Sequence, residues 1–197
     1  MSFKVVLKAS LFITLAAALN PCCAPGGNFD LLTWYLQLPI GTPGKVTAIA
    51  SAQLEGCSGF QDQFFLTSTT NGSLIMKVPG SPATSGCIAT ANSLHYRTEL
   101  HEDISWDPNG PANRLEATVV VVEADNSTHG TVIGQIHMDD SVSTKPVCEL
   151  YYAANGDIAM GVEQTRAGGN EVLTIVGNVL LGTRSCTLSD MRVISCL

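Results

Sequence analysis

The chain has 197 residues, 45% of them hydrophobic and 14% charged, with 18 Gly and 9 Pro. That is enough for one well-cored domain, and it is the composition of a folded, turn-rich protein rather than a disordered one. A formal charge of −7 excludes any general attraction to nucleic acid or anionic membranes, so an anionic ligand would need a local basic site.

Residues 1–20 read as a secretory signal peptide. Lys4 and Lys8 precede the apolar run Leu11 to Leu19, which carries the small residues Ala16-Ala17-Ala18 near its end. The run is too short to span the hydrocarbon core of a bilayer. Cleavage is expected between Ala18 and Ala24, and loss of the two lysines moves the formal charge from −7 to −9. The expected product is secreted, extracellular and independent of membranes once processed. Seven cysteines suit that oxidising compartment. Cys57 and Cys87 flank a short run of strands and are expected to pair, whereas Cys148, Cys186 and Cys196 have no evident partner. No Cys-x-x-Cys or His-rich pattern suggests zinc, and no metal site is expected. Asn71-Gly-Ser and Asn126-Ser-Thr are glycosylation sequons suited to exposed turns.

The first element after the signal is the apolar-aromatic stretch Asn28 to Pro39, closed by the turn Gly41-Thr-Pro-Gly44. Phe64 to Thr67 and Ser73 to Val78 then flank the turn Thr70-Asn71-Gly72. Asn92 to Glu99, Asn113 to Glu123, Gly130 to Met138, Cys148 to Ala153 and Val172 to Leu181 follow in the same style. Many short strands punctuated by Gly, Pro, Asn and Asp predict an all-β sandwich or jelly roll of antiparallel sheets. No long stretch has a helical period. One domain over residues 25–183, a monomer, and an atypical tail over 184–197 are the expected organisation.

Successive residues of a strand point to opposite faces. In Leu94 to His101 this groups His95, Arg97, Glu99 and His101 against Leu94, Tyr96, Thr98 and Leu100. In Val132 to Asp139 it groups Ile133, Gln135, His137 and Asp139 against Val132, Gly134, Ile136 and Met138. Were the two strands neighbours, their polar rows would line one concave surface. Each row alone has an ordinary explanation, since an exposed Arg-x-Glu pair is generally a solvated ion pair of small energy.

Together the rows are more specific. Arg97-Thr98-Glu99-Leu100 resembles the first signature of polysaccharide lyase family 7, the alginate lyases, and Gln135-Ile136-His137 resembles the second. Asn28-Phe29-Asp30-Leu31 with Trp34, Leu150-Tyr151-Tyr152, Asn155-Gly156 and Leu180-Leu181-Gly182 are similar to flanking segments of that family. The resemblance implies a two-sheet jelly roll with a concave groove. It also implies cleavage of a 1,4-linked uronate polymer, alginate or a related anionic polysaccharide, by β-elimination. Removing the proton at C5 builds charge beside an existing carboxylate, so donors aimed at that carboxylate lower the barrier. By position, Arg97 and Gln135 would hold the carboxylate and His137 would take the proton, while Glu99 and His101 would contact substrate. In the family that the chain resembles, Ile at the place of Ile136 accompanies action on guluronate-containing chains. No metal or cofactor is needed.

Two departures from the family pattern stand out. His101 occupies the place of a second arginine, which removes a fixed charge. The third signature, a C-terminal segment with the tyrosine that protonates the leaving O4, has no counterpart after Gly182. A frameshifted or mis-spliced C-terminus is the preferred reading over a natural short form, with little lyase activity expected from the chain as it stands. A non-catalytic uronate-binding jelly roll is the alternative.

Overall fold

A computed structural model of the protein describes residues 18–79, 85–91, 93, 95–104, 115–137, 141, 143, 145–165, 167, 169 and 171–184. Most of the expected signal segment, and the tail after Arg184, lie outside the described residues. The chain divides into two compact units, one ending at Asp103 and the other beginning at Ile104. The architecture is all-β with antiparallel sheets, the class expected from the strand-and-turn pattern.

The first unit contains β1 (Trp34–Thr42), β2 (Lys45–Ile49), α1 (Ser51–Leu54), β3 (Phe65–Thr67), β4 (Leu74–Met76) and β5 (Glu99–Glu102). Its main sheet runs β2-β1-β5, and β3 and β4 form a separate hairpin. Period-two patterning explains this part of β1: Leu36 and Leu38 are fully buried, while Tyr35 before them and Gln37 between them are only half-buried. Leu36, Leu38, Ile49, Leu54, Phe64 and Phe65 form the core, against which Leu100 of β5 packs. Truncating one such residue to Ala costs about 2–5 kcal/mol. The single turn of α1 is too short to persist alone and rests on Leu54, which is wholly buried.

The disulfide pairing differs from expectation. Cys57 is bonded to Cys23, and Cys87 is a buried thiol. Two glycines make this possible. A Cβ on Gly26 would lie 1.8 Å from the Leu54 carbonyl oxygen, and one on Gly27 would lie 2.8 Å from Cα of Cys57. Only a chain bare of side chains can run this close to residues 54–57. The Ala24 amide then donates to the Cys57 carbonyl at 2.9 Å and that of Gly56 to Gly26 at 3.1 Å. Cysteine spacing carries none of this information.

The second unit is a four-stranded antiparallel meander, β6 (Thr131–His137), β7 (Pro146–Tyr152), β8 (Asp157–Val162) and β9 (Val172–Asn178), in that spatial order. The Asn155-Gly156 turn joins β7 to β8, with Gly156 at φ 90°, a conformation glycine adopts without steric cost. Leu150 and Tyr152 are the best-buried side chains of this sheet. Three sequence expectations change here and in the first unit. Strands β2 and β8 add to the expected set, since Lys45–Ile49 and Asp157–Val162 are not among the runs named from the sequence. Residues 115–123 are outside any ladder; Val120 and Val122 are exposed, and Val121 accepts a hydrogen bond from Gly182. Finally, a register shift between Val132 and Gly134 sets Val132 opposite Tyr151, which moves it onto the face that carries Gln135.

Candidate active site

Strand β5 begins only at Glu99, so it carries Glu99 and His101 of the first polar row, while His95 and Arg97 precede the ladder and Leu94 lies outside the described residues. Leu100 lies opposite the fully buried Leu36, so its neighbours Glu99 and His101 point to the other face. There they meet β1: His101 is opposite Tyr35 and Glu99 is opposite Gln37. The His101 and Tyr35 rings stack with centroids 4.9 Å apart and an interplanar angle of 19°. His101 Nε2 lies 3.0 Å from Glu99 Oε2, and the same oxygen receives Arg97 Nη1 at 3.5 Å. Arg97 Nη2 donates to Ser93 Oγ at 2.7 Å. Arg97, Glu99 and His101 are each roughly a quarter exposed, between 22% and 26%. Ion pairs this accessible contribute about 0–1 kcal/mol. The arrangement therefore matters for orientation more than for stability: one carboxylate and one hydroxyl hold the guanidinium while leaving part of its fork open to a ligand.

The second row is on β6. Gln135 is half-buried and His137 exposed, and their two-residue spacing places both on one side of the strand. Gln135 lies directly opposite Glu149 of β7. Two residues along, the Tyr151 hydroxyl faces two carboxylates, Glu149 Oε2 and Glu171 Oε1, each at 2.7 Å. Burial, then the hydrogen bonds to Glu171 and Glu149, push the Tyr151 phenol well above its ordinary range. It remains a neutral O–H donor and is unsuited to act as a base. Its neighbour Tyr152 donates its hydroxyl to the Val179 carbonyl.

Strands β5 and β6 belong to different sheets: β5 pairs with β1 and β6 with β7. The structure thus gathers Arg97, Glu99 and His101 into one connected group in the first unit, and Gln135 with His137 on one strand of the second. Sequence reasoning missed Tyr35, Gln37, Ser93, Glu149 and Glu171. The first two and Glu149 are cross-strand neighbours, which only register reveals. Ser93 lies four residues from Arg97, near the start of a segment expected to be a strand, and only the structure shows its hydroxyl reaching the guanidinium.

The fold and these rows define an antiparallel all-β protein with partly exposed, hydrogen-bonding side chains on its strands. Comparison with known families narrows that class, for residues 29–190 match the family model described as alginate lyase. The chain belongs to the alginate lyase family. By family it is a polysaccharide lyase, and its substrate is a polysaccharide. No curated protein matches the sequence. Among the described residues, no helix is long and apolar enough to cross a membrane.

Proposed function

We propose that the protein acts on 1,4-linked uronate polymers such as alginate, by β-elimination, outside the cell after removal of an N-terminal signal over residues 1–20. The observation that carries this reading is the family match over residues 29–190, which spans both polar rows. Arg97 presents a guanidinium whose geometry is set by Glu99 and Ser93, and a guanidinium is the side chain best matched to a carboxylate. Gln135 supplies an amide donor to a uronate carboxylate, stabilising the charge that develops when C5 loses its proton. His137, exposed on the same side of β6, takes that proton. Glu99 and His101 contact the neighbouring sugar hydroxyls. The protein works as a monomer over residues 25–183, needs no metal or cofactor, and carries glycans at the exposed Asn71 and Asn126.

One observation favours the second reading, in which the chain binds polyuronate without cleaving it. The leaving O4 needs a proton donor, and the two β7 tyrosines have their hydroxyls committed to Glu149 and Glu171 and to the Val179 carbonyl. Elimination that depended on these two hydroxyls is accordingly expected to be slow. The test measures retention on immobilised alginate and the release of unsaturated uronate ends by the same purified preparation. Substituting Arg97→Ala or Gln135→Ala should weaken retention about tenfold, the scale of one charge-assisted hydrogen bond. His137→Ala should leave retention intact and abolish whatever elimination is present. Retention without elimination supports the binding role, robust elimination the enzymatic one, and no retention by the unsubstituted protein defeats both.

A further inference from the structure

The face of the second sheet that carries Gln135 also carries a fixed carboxylate. Glu149 is the residue directly opposite Gln135, so their Cβ atoms are about 4.5–5.5 Å apart. Glu149 is half-buried, and its Oε2 is tied to the Tyr151 hydroxyl at 2.7 Å. Tyr151 is itself 9% exposed, and its single phenol proton is shared between Glu149 Oε2 and Glu171 Oε1, which also lies 2.7 Å from the hydroxyl oxygen. Space for Glu171 to reach across comes from Gly161, opposite Glu149 on β8. A Cβ at position 161 would come within 2.0 Å of Glu171 Oε2 and 3.0 Å of the Tyr151 ring. Glycine, phenol and two carboxylates thus fit together as one assembled device, and the proposed elimination uses none of them.

We propose that Glu149 is a specificity-determining residue: its carboxylate, fixed by Tyr151 beside Gln135, repels a second uronate carboxylate on that side and so dictates how the polymer lies across β6 and β7. The inference rests on the reading of Gln135 as a carboxylate ligand. A second uronate carboxylate placed over β7, beside a sugar held by Gln135, would lie within a Debye length of Glu149, about 8 Å at physiological salt, so the bound chain feels the repulsion. Sugars over β7 must then present hydroxyls, or direct their own carboxylates away, since like charges brought together without a counterion disfavour the wrong placement. Positioning is the task of Tyr151: a carboxylate free to swing into solvent would discriminate far less.

The test compares retention on immobilised alginate, across a salt series, for the unsubstituted protein and for Glu149→Gln, Tyr151→Phe, Gln135→Ala and the exposed-site control Glu123→Gln. Glutamine is isosteric and still accepts the Tyr151 hydrogen bond, so Glu149→Gln keeps the packing and removes only the charge. It should tighten retention about threefold to tenfold at low salt, with the gain fading as salt screens the repulsion. Tyr151→Phe should tighten it less, and Glu123→Gln should leave it unchanged. Equal gains from Glu149→Gln and Glu123→Gln would reduce the effect to net charge and overturn the proposal. So would unchanged or weaker retention by a folded Glu149→Gln. If Gln135→Ala retains alginate as well as the unsubstituted protein, the reading of Gln135 fails; if Gln135→Ala weakens retention but Glu149→Gln leaves it unaltered, only the role of Glu149 fails.

Discussion

The imidazole of His101 is stacked on the ring of Tyr35 while its Nε2 faces Glu99, which in turn holds Arg97. The stack gives the imidazole a planar partner on β1 that keeps its Nε2 edge toward Glu99. Glu99 becomes the hub through which the orientation of Arg97 is set.

Removing that hub should cost binding more than stability. Glu99→Gln leaves a neutral acceptor and frees Arg97 to adopt other rotamers. Retention on alginate should fall about threefold to tenfold, whereas unfolding free energy should change by less than about 1 kcal/mol. Parallel affinity and urea-denaturation measurements check this; a large stability loss with unchanged retention would assign Glu99 to the scaffold.

The Cys23–Cys57 bond closes a loop across a sequence separation of 34 residues. By the chain-entropy relation such a closure stabilises the fold by about 3–4 kcal/mol. Cys57→Ser, or reduction under native conditions, should lower the denaturation midpoint accordingly. Cys87→Ser should do far less, and a mass-mapped Cys57–Cys87 peptide would refute the pairing.

Gly161→Ala should act on the Tyr151 cluster alone. The added methyl would overlap the Glu171 carboxylate, the end of a side chain that can swing away. The expected result is a folded protein, less stable by about 1 kcal/mol, in which Tyr151 keeps only Glu149. Alkaline titration of phenol absorbance reads it directly. In the unsubstituted protein Tyr151 should stay protonated after exposed tyrosines have ionised. Because its folded pKa is raised, the stability it contributes is present below the ordinary phenol value of 10.0 and is lost as pH rises beyond it. In Gly161→Ala that onset should move to lower pH.

Asp157 supplies the opposite sign. Its carboxylate accepts hydrogen bonds from Asn178 and Asn155, which hold it below its ordinary value of 3.8. Its contribution is therefore present above pH 3.8 and lost as pH falls further. Asn178→Ala should lower the melting temperature near neutrality, and the difference from the unsubstituted protein should shrink as the pH falls below that value. A difference constant across the acid range would show that the pair does nothing for folding.

Local patterning was enough for much of this molecule. Alternation in β1 and β5, with Leu36 and Leu100 inward and Glu99 and His101 outward, follows from sequence because one face of each strand must leave water. The all-β class was legible for similarly local reasons, as were the two motifs that resemble the family's signatures. Parity failed at Val132, where a bulge adds a residue that alternation cannot register. Cysteine pairing failed because it depends on how closely Gly26 and Gly27 allow two distant segments to approach. Tyr35 opposite His101, Glu149 opposite Gln135, and Glu171 reaching Tyr151 over Gly161 were decided only by strand register and backbone proximity. Those are long-range relations: hydrophobic periodicity sets which face a residue takes, but the residue it meets on that face depends on where another strand comes to rest.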